Sequence, residues 1–115
     1  MNDFIEKRKN PRVDVRWPIK VITDDGQIEG ETVNISLDGM EISCDDPLPF
    51  NEVLSISIEP LNQSVIMLSG KVVWSDSYGM DDGKSFAVGV SFLEIGDEDR
   101  HRFAQFRDLV SFLFR

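Results

Sequence analysis

The chain of 115 residues has the size of one ordinary domain, and its apolar content of 41% is typical of a globular protein. No apolar run reaches the ~18 residues of a transmembrane helix, and the N-terminus lacks the hydrophobic stretch of a secretory signal. The single cysteine, Cys44, excludes an internal disulfide and a cysteine-based zinc site. We therefore expect a cytoplasmic domain whose core needs neither a crosslink nor a metal.

The charge is unevenly distributed along the chain. The net charge of −9 argues against nucleic acid and anionic membranes as partners, because both attract a basic surface. Residues 1–20, however, hold six cations and three anions, so the rest of the chain carries −12. Composition alone leaves two interpretations open: a solvated tail that offsets the acidic body, or an arm that binds an anion.

An extended segment and six short strands follow in chain order. Residues 1–12 have neither a helical nor a strand period, and Pro11 disfavours helix at Asn10, which predicts an extended arm. Alternating apolar residues between turn signals then predict the strands. They are Trp17–Thr23, Ile28–Ile35, Met40–Cys44, Val53–Glu59, Ser64–Trp74 and Ser85–Leu93.

Turn residues and one helix complete the predicted fold. An Asp-Gly turn at residues 24–27 and a tight turn at residues 36–39 join antiparallel strands, a loose hairpin loop covers residues 78–84, and Gly70 is expected at a bulge or bend. The last segment changes to a helical period, with an apolar stripe that favours packing on the barrel over docking a partner. The stripe is Phe103, Phe106, Leu109, Val110 and Leu113.

These elements predict a mostly-β fold, a six-stranded antiparallel barrel or sandwich with a C-terminal helix. We expect one domain, with a flexible basic arm over residues 1–16, the barrel over 17–95 and the helix over 97–114. Catalysis is poorly supported. His101 is the only histidine and is expected on an exposed helix face, and no nucleophile–base arrangement, metal-ligand cluster or phosphate-binding loop is present.

Two short motifs carry the chemistry that the sequence offers. Arg8 and Arg12 form an R-x-x-x-R on the arm, and each guanidinium can clamp a phosphate or a guanine Hoogsteen edge through paired hydrogen bonds. Asn34, Ser36 and Gly39 form an N-x-S-x-x-G at a strand end. Taken alone, this motif favours a structural interpretation, in which Asn34 and Ser36 bond the local backbone and Gly39 takes a positive φ.

Together the two motifs resemble the PilZ domain family, in which an R-x-x-x-R arm precedes a (D/N)-x-S-x-x-G strand motif by about twenty residues. Here Arg12 and Asn34 are 22 positions apart. The resemblance runs from about Glu6 to the terminal helix and includes residues 70–74 and 88–92. It implies a PilZ-type split barrel and binding of cyclic di-GMP, a bacterial second messenger.

The resemblance also implies ligand contacts. Arg8 and Arg12 match the two arginines that grip phosphate and guanine groups. Asn34 and Ser36 match positions that hydrogen-bond guanine, and Gly39 matches a glycine where bulk would obstruct the turn or the ligand.

Two further residues match positions whose role depends on the side chain present. Trp74 matches a position where an aromatic ring can line the guanine site, although a barrel-wall tryptophan is nearly as good an interpretation. Lys7 stands where an arginine is associated with binding a stacked ligand pair, and lysine keeps the charge without the planar fork. A second R-x-x-x-R, Arg12 to Arg16, is set aside because Arg16 already begins the barrel, and its contribution stays open.

The implied function is a stand-alone bacterial receptor and not an enzyme, with cyclic di-GMP as ligand and no cofactor. Binding would order the arm and signal to an effector protein in motility, biofilm or exopolysaccharide control. No nucleic acid or membrane insertion is expected, and a homodimer is left open. Two alternatives remain: a ligand-independent PilZ-like adaptor of type IV pilus or motility machinery, and a small barrel that binds single-stranded nucleic acid. The arginine pair counts against the first, and the acidic body against the second.

Overall fold

The structure, a computed structural model, describes residues 12–61, 64–78, 85–93 and 96–113. Within these residues the chain forms seven strands and one helix. They are β1 (Val13–Asp14), β2 (Pro18–Thr23), β3 (Gly26–Ile35), β4 (Gly39–Cys44), β5 (Leu54–Ile58), β6 (Ile66–Tyr78), β7 (Ser85–Leu93) and α1 (Gly96–Leu113). The loop predicted after β6 lies outside the described residues.

Strands β2 to β7 close into an antiparallel barrel. Each strand pairs with two neighbours, in the order β3, β2, β5, β6, β7 and β4, and β4 returns to β3. Because the barrel is closed, each of the six strands has a pairing partner on both of its edges over at least part of its length. β1 adds two residues to the second half of β3, within the stretch that the sequence analysis assigned to the arm. The predicted six-stranded barrel with a C-terminal helix is confirmed.

Both predicted turns are present. The β2–β3 hairpin turns at Asp24 and Asp25 and resumes pairing at Gly26, whose φ of 132° is one that residues with a side chain rarely adopt. The β3–β4 turn is closed by a hydrogen bond of 2.8 Å from the backbone N–H of Ser36 to the carbonyl of Gly39.

The core fills the barrel and continues under the helix. Alternate residues of β2, β4 and β5 point inward and are almost completely buried; they are Ile19, Val21, Met40, Ile42, Cys44, Leu54, Ile56 and Ile58. Phe106 and Val110 of α1 are fully buried, and the ring of Phe106 meets that of Phe92 edge-on, with centroids 4.9 Å apart. The helix therefore packs on the barrel, as its apolar stripe predicts. The side chains of Phe103 and Leu113 lie outside those described.

Of the bulge or bend expected at Gly70, the bulge is wrong. Gly70 pairs regularly with Leu54 on one side and Phe92 on the other, and the register of β6 shifts instead between Val72 and Trp74. The reason for a glycine at position 70 is space, because an added Cβ would lie 2.6 Å from a methyl carbon of Val90. Among the described residues, no helix combines the length and the apolar character that a membrane span requires.

Cys44 is a buried core residue with a thiol that resists ionisation. Its side chain is 3% exposed, and its Sγ lies 3.3 Å from the carbonyl oxygen of Asp46. Burial raises the pKa of the Cys44 thiol; a backbone hydrogen bond at Asp46 opposes this, and the charges of Asp45 and Asp46 reinforce it. The proton is therefore held more tightly in the folded state than in the unfolded chain.

We expect this pKa shift to make the protein lose stability at alkaline pH. A raised folded-state pKa contributes stability fully below the ordinary thiol pKa, and that contribution is lost as the pH rises through the raised value. Urea unfolding at pH values from neutral to about 10 measures this loss in the free energy of unfolding. Cys44→Ala is the control that lacks the titrating group. Equal alkaline losses in both proteins would contradict the assignment.

Candidate ligand-binding site on the barrel

The chain enters the barrel through a clamp made by Thr32. The Thr32 hydroxyl is fully buried, donates to the carbonyl of Val15 and accepts from the backbone N–H of Trp17 at 2.9 Å. The backbone N–H of Thr32 donates to the Trp17 carbonyl, also at 2.9 Å. These bonds hold the segment before β2 against β3, so that β1 can pair Asp14 with Asn34. This arrangement brings Arg12 to Asn34 across 22 positions of sequence.

A bulge at Val33 turns Asn34 to the outside of the barrel. Thr32 is buried and pairs with Ile42 of β4, and regular alternation would place Asn34 inside as well. The register instead advances by two residues on β3 and one on β4, so that Asn34 pairs with Glu41. A β-bulge re-aims the following side chain in this way.

A second bulge, at Val73, does the same for Trp74. Val72 is buried and pairs with Val90, and the next paired residue of β6 is Trp74, opposite Gly89. Without the extra residue, Trp74 would share the inward orientation of Val72. Trp74 is instead 42% exposed. Trp74 is thus an outward-facing aromatic residue of the barrel wall.

Asn34 links a cation to an anion. Nη1 of Arg12 donates to Oδ1 of Asn34 at 2.8 Å, and Nδ2 of Asn34 donates to Oε1 of Glu41 at 3.1 Å. An aspartate at position 34 would accept from Arg12 but would face the Glu41 carboxylate with a like charge. The amide is therefore the side chain that satisfies both neighbours.

The strand register aligns four of these residues in one row across the barrel. Asn34, Glu41, Gly89 and Trp74 are successive partners on β3, β4, β7 and β6, and strands about 4.8 Å apart make the row about 14 Å long. The indole lies against Gly89, where an added Cβ would be 2.0 Å from Nε1. We call Arg12 and these four residues the ligand row.

The ligand row lines a cavity of about 80 Å³. Pockets that enclose small ligands measure about 300–1,000 Å³, so this face offers a platform with polar groups and not an enclosed site. A ligand of nucleotide size would lie on the row and would need a cover from the solvent side.

Ser36 and Gly39 support the turn beside the row. Ser36 is fully buried, and its hydroxyl bonds the Asp38 carboxylate, lies 3.2 Å from the Gly39 carbonyl and accepts from the Asp38 N–H at 3.3 Å. An added Cβ at Gly39 would be 2.4 Å from the Val90 carbonyl oxygen. Their contacts with a ligand stay predictions.

The structural interpretation of the N-x-S-x-x-G motif needs two corrections. Asn34 bonds the side chains of Arg12 and Glu41 and not the local backbone, because the bulge turns it outward. Gly39 does not take a positive φ, since among the described glycines Gly26 alone does. Close approach of β7 is what Gly39 accommodates.

Of the other predicted cations, Arg16 is the one that the structure describes, and it lies away from the row. Lys7 and Arg8 lie outside the described residues. Arg16 is well exposed and pairs with Glu31 at 3.4 Å, and it lines a separate groove beside Trp17 and Pro60. The second R-x-x-x-R therefore has only its first arginine, Arg12, at the row.

A family profile described as the PilZ domain matches residues 6–109. The chain belongs to the PilZ family. No curated protein sequence is significantly similar to it. Three solved PilZ-containing or related structures show how far its fold is shared.

The PilZ domain of YcgR from Escherichia coli, solved with c-di-GMP, has a TM-score of 0.72 and 13% identity, covering 95% of each chain. Bacillus subtilis MotI/DgrA, an inhibitor of motility, has a TM-score of 0.63 and 19% identity, covering 95% of this chain and 53% of that one. PlzA from Borreliella burgdorferi, solved with c-di-GMP, has a TM-score of 0.63 and 14% identity, covering 94% and 54%. This PilZ domain thus spans about half the length of the last two chains.

Two residues of the ligand row were missed by the sequence analysis of this PilZ domain. Gly89 had a local signal, since a glycine within an apolar strand indicates close approach of another group. Glu41 had a weaker one, as a polar residue on the outward face of a predicted strand, two positions after Gly39. Neither signal connects these residues with Asn34 and Trp74, because that connection depends on the pairing register.

Proposed function

We propose that this PilZ domain is a cytoplasmic receptor for cyclic di-GMP and not an enzyme. The observation that carries the proposal is the ligand row, where a guanidinium, an amide and an exposed indole lie together on one face. The ligand has two phosphates and two guanines, which suit charge-assisted hydrogen bonds and aromatic stacking. The solved relatives YcgR and PlzA were determined with this ligand, which supports the proposal.

Charge supports a compact ligand over a long polyanion. Arg12 donates to the neutral amide of Asn34, so this contact leaves its positive charge uncompensated. The body beyond residue 20 carries −12, which opposes an extended nucleic acid. A small dianion needs favourable contacts at one place only, and paired guanidinium bonds supply them.

The platform shape of the row suggests how the signal is produced. We propose that the ligand, lying on the row, is covered by the N-terminal arm, with Arg8 as the second arginine, Lys7 beside it, and Ser36 and Gly39 at the edge. Closure of the arm would change the surface that a partner protein meets. Control of motility or biofilm formation is the proposed setting, in line with the motility inhibitor MotI/DgrA among the structural relatives.

Isothermal titration calorimetry with cyclic di-GMP tests this function. We expect wild-type protein to bind, and Arg12→Ala to bind at least about tenfold more weakly, since one charge-assisted contact contributes about 1.5–3 kcal/mol. Arg16→Ala is the matched control and should keep the wild-type affinity, because Arg16 pairs with Glu31 away from the row.

Two outcomes would contradict the proposal at different levels. No binding by wild type at tens of micromolar would reject the receptor function. Equal affinities of wild type and Arg12→Ala would reject the ligand row as the site. The molar ratio from the same titration distinguishes one ligand from a stacked pair.

A further inference from the structure

Glu41 occupies the centre of the ligand row, between Asn34 and Gly89. These two neighbours leave part of the hydrogen-bonding capacity of the Glu41 carboxylate unused. It alternates with the buried Met40 and Ile42, so its side chain points outward from β4. Its Oε1 accepts one hydrogen bond of 3.1 Å from Asn34. A carboxylate offers about four acceptor sites, so this bond leaves acceptor capacity facing the row.

The register places Glu41 at the edge of the aromatic platform. Gly89 is the pairing partner of Trp74 on one side and of Glu41 on the other. The indole already lies over Gly89, and β4 is the next strand, about 4.8 Å away. A flat base stacked on the indole would therefore lie beside the strand that carries the Glu41 carboxylate.

Guanine is the base whose edge suits a carboxylate. Its Watson–Crick edge has two adjacent donors, N1–H and the 2-amino group, which can bond the two oxygens of one carboxylate. Hypoxanthine lacks the 2-amino donor, and adenine presents the lone pair of N1 at the same place. Given the cyclic di-GMP site proposed above, on which this inference rests, we propose that Glu41 reads the Watson–Crick edge of a guanine stacked on Trp74 and so makes the site selective for guanine.

The test compares cyclic di-GMP with cyclic di-IMP, its hypoxanthine analogue, by calorimetry. We expect wild type to bind the guanine ligand at least about tenfold more tightly. The reason is that the hypoxanthine ligand loses one hydrogen bond to a charged group. Glu41→Gln should reduce that preference to about twofold, because one acceptor oxygen is replaced by an amide donor. Both ligands carry the same two phosphates, so the ratio of affinities is insensitive to the change in charge.

The variants separate base reading from the contact with Asn34. The glutamine oxygen of Glu41→Gln can still accept from Nδ2 of Asn34, so that contact is retained. Glu29→Gln is the matched control, because it removes the same negative charge from an exposed position on β3, opposite Lys20. It should keep the wild-type preference. Circular dichroism confirms that each variant is folded.

Each remaining outcome overturns the inference. If Glu41→Gln weakens both ligands by the same factor, Glu41 only positions Asn34 and does not read the base. If wild type binds the two ligands equally, the site does not contact the 2-amino group. If wild type binds neither, the proposed function fails first, and the two failures are thereby distinguished.

Discussion

Replacing Gly89 by alanine should weaken cyclic di-GMP binding by about tenfold while leaving the barrel folded. A Cβ at this position would lie 2.0 Å from Nε1 and 2.4 Å from Cε2 of Trp74, so the indole must turn away. Stacking a base on an aromatic side chain contributes about 1–3 kcal/mol, and loss of about 1.4 kcal/mol lowers affinity tenfold. The clash is with a side chain and not with backbone, so we expect the strand register to be kept.

Calorimetry and tryptophan fluorescence together check this result. Ser91→Ala is the matched control, because Ser91 lies two residues further on the same outward face of β7 and pairs with Gly39 and Lys71. It should change neither the affinity nor the emission spectrum. An altered Trp74 emission with unchanged affinity in Gly89→Ala would show that the indole does not support the ligand.

Replacing Phe106 by alanine should lower the free energy of unfolding by about 3–5 kcal/mol, the usual effect of removing a buried aromatic ring. Phe106 is fully buried and meets Phe92 edge-on at 4.9 Å, so its loss leaves a cavity between α1 and the barrel. Domains of this size are stable by about 5–15 kcal/mol, so the change removes a large part of the total.

Urea unfolding measures the effect of Phe106→Ala. Phe112→Ala on the same helix is the matched control, because Phe112 is 65% exposed and should change stability by less than about 0.5 kcal/mol. Equal effects of the two substitutions would contradict the packing of α1 that the structure describes.

The two motifs and the strand pattern were predictable because they are local. The turn between Ser36 and Gly39 is read from four consecutive residues, and the inward face of β4 from its alternation. The site was only partly predictable. Asn34 and Trp74 were identified through the family resemblance, whereas local alternation from Thr32 and Val72 places both side chains in the core.

By itself, the sequence determined the six strands of the barrel, the helical stripe containing Phe106, the acidic character of the chain beyond residue 20 with basic residues before it, and membership of the PilZ family. Only the tertiary structure decided which side chains share the ligand row. The bulges at Val33 and Val73 reverse the orientation of Asn34 and Trp74, and the pairing of β4 with β7 adds Glu41 and Gly89. The physical reason is that a strand's side-chain period is local, while its register is set by partners distant in sequence.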